Sequence, residues 1–122
     1  MTIDSNIVIG YLNEDRAIQA TLSAWKVGGK VLLISTVSVA ELLSFETLTD
    51  REIVRTSAFL EEHFLSIPVG TLIAQEAGSM RRRYGLKLPD AMIAATALVT
   101  HTPLVTNDKD FASVPELELI RV

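Results

Sequence analysis

The chain has 122 residues, of which 48% are hydrophobic and 21% charged, and this size and composition favour a single globular domain. Its net charge of −4 argues against a broadly basic nucleic-acid-binding surface, although acidic residues clustered around a metal would account for part of that charge. It contains no cysteine, which excludes disulfides, thiolate zinc sites and a cysteine nucleophile, and fits a reducing cytosol.

The first third of the chain predicts two strands and two helices. Residues 1–3 start a short strand, and Ser5 or Asn6 can cap the helix that follows. A second helical stretch ends at Gly28-Gly29, because glycine is favoured just beyond a helix. The uninterrupted apolar run 31–35 (VLLIS) is typical of a strand buried on both faces. The first residues lack the basic segment that is typical of a signal peptide, so we expect a cytoplasmic protein.

The middle of the chain is mostly helical. Thr36 or Ser38 can cap a third helix, and Asp50 is expected to cap a fourth helix that runs to about Phe64. Residues 66–69 form a short strand or a turn. No apolar run reaches the ~18 residues of a membrane span, so we expect no contact with a membrane.

The last third of the chain returns to alternating helices and strands. Residues 71–84 are predicted to form a helix that stops at Gly85, and Pro89 opens the next helix. Residues 103–106 (PLVT) are a third buried strand, and residues 117–122 are the last. Because strands and helices alternate, the fold class is α/β, with a parallel sheet and right-handed crossovers.

Four acidic residues lie where predicted strands give way to helices, namely Asp4, Glu41, Asp90 and Asp108. In a parallel α/β sheet these transitions converge on one edge, beyond the carboxyl ends of the strands. Carboxylates that converge repel one another, and a divalent metal ion offsets that repulsion. The pattern therefore predicts a metal-dependent hydrolase that acts on a phosphate-bearing substrate.

Each of these acids also has a structural interpretation. Asp4 and Asp108 suit caps or turns, and Glu41 suits the polar side of an amphipathic helix. Asp90 suits the first turn of a helix because of the helix dipole. However, residues 91–100 after it carry no charge, and a helix so apolar must be buried nearly all round. We favour the joint interpretation because all four acids occupy strand-to-helix transitions.

The basic run Arg81, Arg82 and Arg83 is less specific. Successive helical residues differ in direction by about 100°, so the three side chains cannot share one face. At least one is expected to pair locally or to lie in solvent, while one or two are candidates for contact with phosphate.

The chain resembles the PIN-domain ribonucleases, and among them the VapC-type toxins of prokaryotic toxin–antitoxin pairs. Four motifs carry the resemblance in order along the whole chain: IDSN at 3–6, SVAELL at 38–43, LPDAMIAATAL at 88–98 and LVTNDKDF at 104–111. The resemblance implies one PIN-like domain over residues 1–122, with a central parallel β-sheet flanked by α-helices.

The resemblance also implies the site. Asp4, Glu41 and Asp90 would be catalytic acids that bind Mg²⁺ or Mn²⁺, and Asp108 would be the fourth. Asp110 is a further metal-ligand candidate, and the choice between it and Asp108 as the fourth acid stays open. A metal-activated water would cleave single-stranded RNA segments to a 5′-phosphate and a 3′-hydroxyl. The candidates for RNA contact are Ser5, Asn6, Arg81, Arg82, Arg83 and Thr106.

The expected partners are the RNA substrate, a small antitoxin protein that silences the nuclease, and a second copy in a homodimer. Two alternatives remain open. One is a PIN nuclease without a toxin role, in RNA maturation or decay. The other is a non-catalytic RNA-binding module, against which the retained acids argue.

Overall fold

Five short parallel strands form the centre of the molecule in the computed structural model, which describes residues Met1–Val122. The strand order is β3-β2-β1-β4-β5, so the first strand is central and the chain crosses from one half of the sheet to the other. The strands are β1 Thr2–Ile3, β2 Leu33–Ser35, β3 Leu65–Ile67, β4 Leu104–Val105 and β5 Leu119–Ile120. The predicted α/β class with a parallel sheet is confirmed.

Six α-helices and one 3₁₀ helix complete the fold. The α-helices are α1 Ser5–Leu12, α2 Arg16–Val27, α3 Thr36–Leu42, α4 Asp50–His63, α5 Thr71–Tyr84 and α6 Leu88–Val99. The 3₁₀ helix spans Lys109–Ser113, after β4, and was not foreseen from the sequence. No helix combines the length and apolar character that crossing a membrane requires.

Two apolar cores lie on the two faces of the sheet. Successive strand residues point to opposite faces, so Leu104 joins the core of α5 and α6 while Val105 joins the core of α1, α2 and α4. The α6 segment from Ile93 to Ala97 is fully buried, as its uncharged sequence predicts. This burial holds the first turn of α6, which carries Asp90, at a defined place beside the sheet.

Three helix caps differ from the prediction. Asp4, rather than Ser5 or Asn6, caps α1, and its side chain accepts a hydrogen bond from the Ser5 backbone N–H. Its backbone is still extended after β1, whereas Ser5 is already helical. The capping function of Asp4 therefore coexists with its place in the acidic site.

The other two corrections have the same origin. Ser35, the last residue of β2, caps α3 in place of Thr36 or Ser38. Thr49 caps α4 in place of Asp50, through a reciprocal capping box with Glu52. In both cases the cap is the last residue with an extended backbone, directly before Thr36 in α3 and before Asp50 in α4.

Several element boundaries also move by one to two residues. The second strand begins at Leu33 because Val31, which is 59% exposed, lies outside the sheet. The strand β3 spans Leu65–Ile67, where the sequence predicted a short strand or a turn over 66–69. The strands β4 and β5 are shorter than the predicted 103–106 and 117–122. The helix α5 ends at Tyr84, before Gly85, as predicted, and Gly85 adopts the left-handed conformation. The helix α6 begins at Leu88, one residue before Pro89.

Candidate active site

The carboxyl edge of the sheet brings the acidic residues together. Asp4 directly follows β1, and its backbone N–H donates to the carbonyl of Val105 at the end of β4. Glu41 lies in α3 after β2, and the Ser5 hydroxyl donates to its Oε1 at 3.1 Å. Because Ser5 adjoins Asp4, this bond places the carboxylates of the first and second strands side by side.

Asp4 is the buried member of the site, with 4% of its surface exposed. Its Oδ1 accepts from the Ser5 backbone N–H at 2.8 Å, and its Oδ2 accepts from the Thr106 hydroxyl at 2.7 Å. The same Thr106 oxygen accepts from the backbone N–H of Asp108 at 3.0 Å. Thr106, which is 1% exposed, thus lies beneath the carboxylates and ties Asp4 to the Asp108 loop.

Asp90, Asp108 and Asp110 form a candidate metal-binding group. One carboxylate oxygen from each lies within 4.8 Å of those of the other two. Asp90 comes from the first turn of α6. Asp108 caps the 3₁₀ helix, and its Oδ1 accepts from the backbone N–H of Asp110 at 2.9 Å. This turn places both Asp108 and Asp110 beside Asp90.

The electrostatic field couples Asp4 and Glu41 to that group. Burial raises the pKa of Asp4, the Thr106 and Ser5 hydrogen bonds lower it, and Glu41 and Asp108 raise it further. Burial also raises the pKa of Glu41, against the Ser5 hydrogen bond and with a contribution from Asp90. For Asp90, burial and then Asp4, Asp108 and Asp110 raise the pKa, while Lys87 lowers it. The acids therefore form one repulsive network that a cation would stabilise.

Burial of Asp90, together with repulsion from the neighbouring carboxylates, predicts a pH effect on the stability of the metal-free protein. Asp90 has a pKa above its ordinary value of 3.8 in the folded state, so the folded state holds its proton more tightly than the unfolded state. The resulting stability is present below pH 3.8 and is lost as pH rises through the raised pKa.

We therefore expect the unfolding free energy of Asp90→Asn to rise relative to that of the wild type as pH increases over that range. Urea denaturation in EDTA at several pH values measures this difference. A difference that stays constant with pH would show that the folded state does not raise the pKa of Asp90.

The arginine run is divided among three environments, as the angular argument predicts. Arg83 pairs with Glu116 and also donates to the Tyr84 hydroxyl at 2.7 Å. Nη1 of Arg81 donates to the Leu86 carbonyl at 3.4 Å, and Arg82 is exposed. The expectation that at least one arginine pairs locally is confirmed by Arg83.

Two lysines that were not predicted as site residues line the same cavity as two of the acids, whereas none of the three arginines does. Lys87 and Lys109 line a cavity of about 430 Å³ whose wall also includes Asp90 and Asp110. Both lysines adjoin candidate acids in the sequence, since Lys87 directly precedes the LPD motif and Lys109 lies between Asp108 and Asp110. Of the other candidates for RNA contact, Ser5 is half-buried against Glu41 and Asn6 is exposed.

The comparisons with known proteins agree with this architecture. The chain matches the family model of the PIN domain over residues 1–117. It is 31% identical to a chain of a toxin–antitoxin complex from Klebsiella pneumoniae, with a TM-score of 0.82, covering 98% of this chain and 94% of that one. No curated protein sequence matches this chain.

Two more distant structures share the fold. VapBC2 from Rickettsia felis, bound to a DNA fragment from its promoter, has a TM-score of 0.86 at 21% identity and covers 99% of this chain and 97% of that one. DNA-bound VapBC from Salmonella typhimurium has a TM-score of 0.79 at 19% identity and covers 98% and 96%. The family match over nearly the whole chain, together with the parallel sheet and its acidic edge, shows that this protein belongs to the PIN-domain family.

Proposed function

We propose that this chain is a metal-dependent endoribonuclease and the toxin of a toxin–antitoxin pair. The observation that carries the proposal is the group formed by Asp90, Asp108 and Asp110, with Asp4 and Glu41 coupled to it, at the carboxyl edge of a PIN-domain sheet. The similarity to a chain of the Klebsiella pneumoniae toxin–antitoxin complex supports the toxin assignment.

The donor chemistry fits Mg²⁺ or Mn²⁺. All ligand atoms that these residues offer are carboxylate oxygens, which hard divalent cations prefer, and no histidine or cysteine belongs to the group. Asp90, Asp108 and Asp110 would hold the ion, and Asp4 and Glu41 would complete the negative field around it. When bound, a divalent cation supplies charge neutralisation at the scissile phosphate and lowers the pKa of water.

The residues of the chain itself position the reacting groups. Ser5 holds the carboxylates of Asp4 and Glu41 at fixed places, and Thr106 holds Asp4 from the other side. Glu41 is half-buried with a raised pKa, which suits a carboxylate that accepts a proton from an attacking water. In-line attack by water on the phosphodiester would leave a 5′-phosphate and a 3′-hydroxyl.

Two apolar cavities on the face formed by α1, α2, α3 and α4 support an antitoxin partner. One, of about 260 Å³, has six hydrophobic lining residues and includes Leu22 and Phe59. The other, of about 420 Å³, includes Leu12 and Phe45, which are 42% and 51% exposed. An amphipathic antitoxin helix could fill these cavities and bury Leu12 and Phe45, and an arginine or lysine from the same partner could pair with the acidic cluster.

Expression in a bacterial host tests the toxin assignment. We expect growth arrest when the chain is induced alone, and normal growth when Asp90→Asn is induced to the same level, because that variant lacks a metal ligand. Turbidity after induction and immunoblotting give the two readouts.

Co-expression of the small protein encoded beside this gene is expected to restore growth. Normal growth with a folded chain that cleaves RNA in vitro would contradict the toxin role and favour RNA maturation or decay.

A further inference from the structure

A polar cavity joins the acidic cluster to the turn between α5 and α6. Its wall consists of residues 84–87 on one side and Asp90, Lys109, Asp110 and Ser113 on the other. Two of the three clustered carboxylates thus line a cavity of about 430 Å³, and Lys87 and Lys109 provide positive charge in the same wall.

The two lysines are free to bind another group. The two salt bridges of the protein join His63 to Glu62 and Arg83 to Glu116, so neither lysine forms one. Both are exposed, although each lines the same cavity as Asp90 and Asp110. Unpaired ammonium groups beside clustered carboxylates suit a ligand that carries several negative charges and extends past the carboxylates.

The positive path continues beyond this cavity. A second cavity, of about 350 Å³, shares Gly85, Leu86 and Lys87 with the first and reaches Arg81. The hydrogen bond from Arg81 to the Leu86 carbonyl holds the guanidinium at the turn and leaves its other N–H donors available. Lys109, Lys87 and Arg81 therefore line one continuous path that leads away from the acids.

Tyr84 forms a fixed aromatic part of this wall. Its hydroxyl bonds to Glu116, and the Arg83 guanidinium carbon lies 4.9 Å from its ring centroid. Arg83 in turn pairs with Glu116, so the three side chains hold one another in place. A rigid aromatic ring beside a basic path is the combination that proteins use to bind single-stranded nucleic acid.

We propose that the RNA strand leaves the acidic cluster across the α5–α6 turn, with its phosphates on Lys109, Lys87 and Arg81 and a base against Tyr84. The proposal rests on the nuclease function proposed above and names the surface that holds its substrate. Asp90 and Asp110 repel an acidic protein segment and RNA alike unless a cation is bound to them. The lining favours RNA because Tyr84 offers a ring for a base, while one phosphate can lie at the metal-binding end and the next phosphates on the cations.

Binding of a fluorescently labelled single-stranded RNA tests this path. Anisotropy is measured over a range of salt concentrations in an Asp90→Asn background, which keeps the RNA intact. Replacement of Lys87, Lys109 or Arg81 by alanine should each lower the magnitude of the slope of log K against log salt by about 0.7. A slope lowered by about 0.7 corresponds to binding that is about fivefold weaker than that of the parent in 0.1 M salt.

Two variants serve as matched controls. Lys30→Ala removes the same charge just before β2, at the opposite edge of the sheet, and Arg51→Ala removes an exposed arginine of α4 that lines neither cavity. Both should keep the slope of the Asp90→Asn parent. Lys87→Ala in the wild-type background should also keep the rise in melting temperature that Mg²⁺ produces, because lysine does not bind the metal.

The outcomes separate the path from the nuclease function. If wild-type protein cleaves RNA but the three path variants match the controls in slope, the path is wrong and the nuclease proposal stands. If all five variants lose affinity equally, binding is diffuse and the path is also wrong. If wild-type protein neither binds nor cleaves RNA, both proposals fail. If the path variants keep RNA affinity but lose affinity for the co-expressed partner, the surface binds a protein.

Discussion

Asp90→Asn is expected to reduce RNA cleavage by about 100-fold or more while the protein stays folded. Substitution of residues that merely support metal ligands costs about 10- to 100-fold in affinity or activity, so loss of a ligand itself should cost at least as much. The variant should also melt at a higher temperature than the metal-free wild type, because burial and repulsion by Asp4, Asp108 and Asp110 both disfavour the charged Asp90 carboxylate. Cleavage of labelled RNA and thermal denaturation in EDTA measure the two effects.

Asp90 is a cleaner test than Asp4. The Asp4 carboxylate caps α1 and accepts from Thr106, so Asp4→Asn changes a buried hydrogen bond together with the charge. Asp50→Asn is a suitable control, since Asp50 is exposed at the start of α4 and takes no part in the acidic group. It should leave cleavage unchanged. Retained cleavage by a folded Asp90→Asn protein would remove Asp90 from the metal site.

Removal of divalent metal by EDTA is expected to abolish cleavage, and excess Mg²⁺ or Mn²⁺ to restore it. The same ions should stabilise the fold, because they bind the carboxylates that repel one another in the metal-free protein. At a metal concentration 100 times the Kd, linkage predicts a gain of ~2.7 kcal/mol in unfolding free energy. In a domain of this size the gain corresponds to a rise of roughly 10 °C in melting temperature.

The control for this effect is Asp90→Asn, whose metal-induced rise in melting temperature should be much smaller than that of the wild type. Differential scanning calorimetry with and without MgCl₂ provides the measurement, at matched ionic strength so that general screening is equal. Full cleavage activity in EDTA would rule out the metal mechanism, and an equal rise in both proteins would place the ion elsewhere.

The candidate acids were predictable because their signals are local. Asp4 follows a strand, Asp90 precedes an uncharged helix, and Asp108 follows the PLVTN run, so each lies at a recognisable strand-to-helix transition. The class of the fold follows from the same alternation of apolar runs and helical patterns. The convergence of the acids follows because parallel strands place their carboxyl ends at one edge.

The helix caps and strand limits were less predictable from sequence. Ser35 and Thr49 cap their helices because the preceding chain is still extended there, and neighbouring Thr36, Ser38 and Asp50 offer the same hydrogen-bonding chemistry. The conformation of the backbone, rather than the identity of the side chain, decides which of these residues caps the helix.

The tertiary structure alone decided which cations face the acids and how the acids are held. Three adjacent arginines are a stronger sequence signal than two separate lysines, but Glu116, 33 residues from Arg83, draws that arginine into an ion pair. Thr106 reaches Asp4 across 102 residues of sequence because β1 and β4 are neighbours in the sheet. The sequence by itself determined the residue types that converge, since the strand-to-helix periodicity is local. Their partners depend on long-range packing, which no local pattern contains.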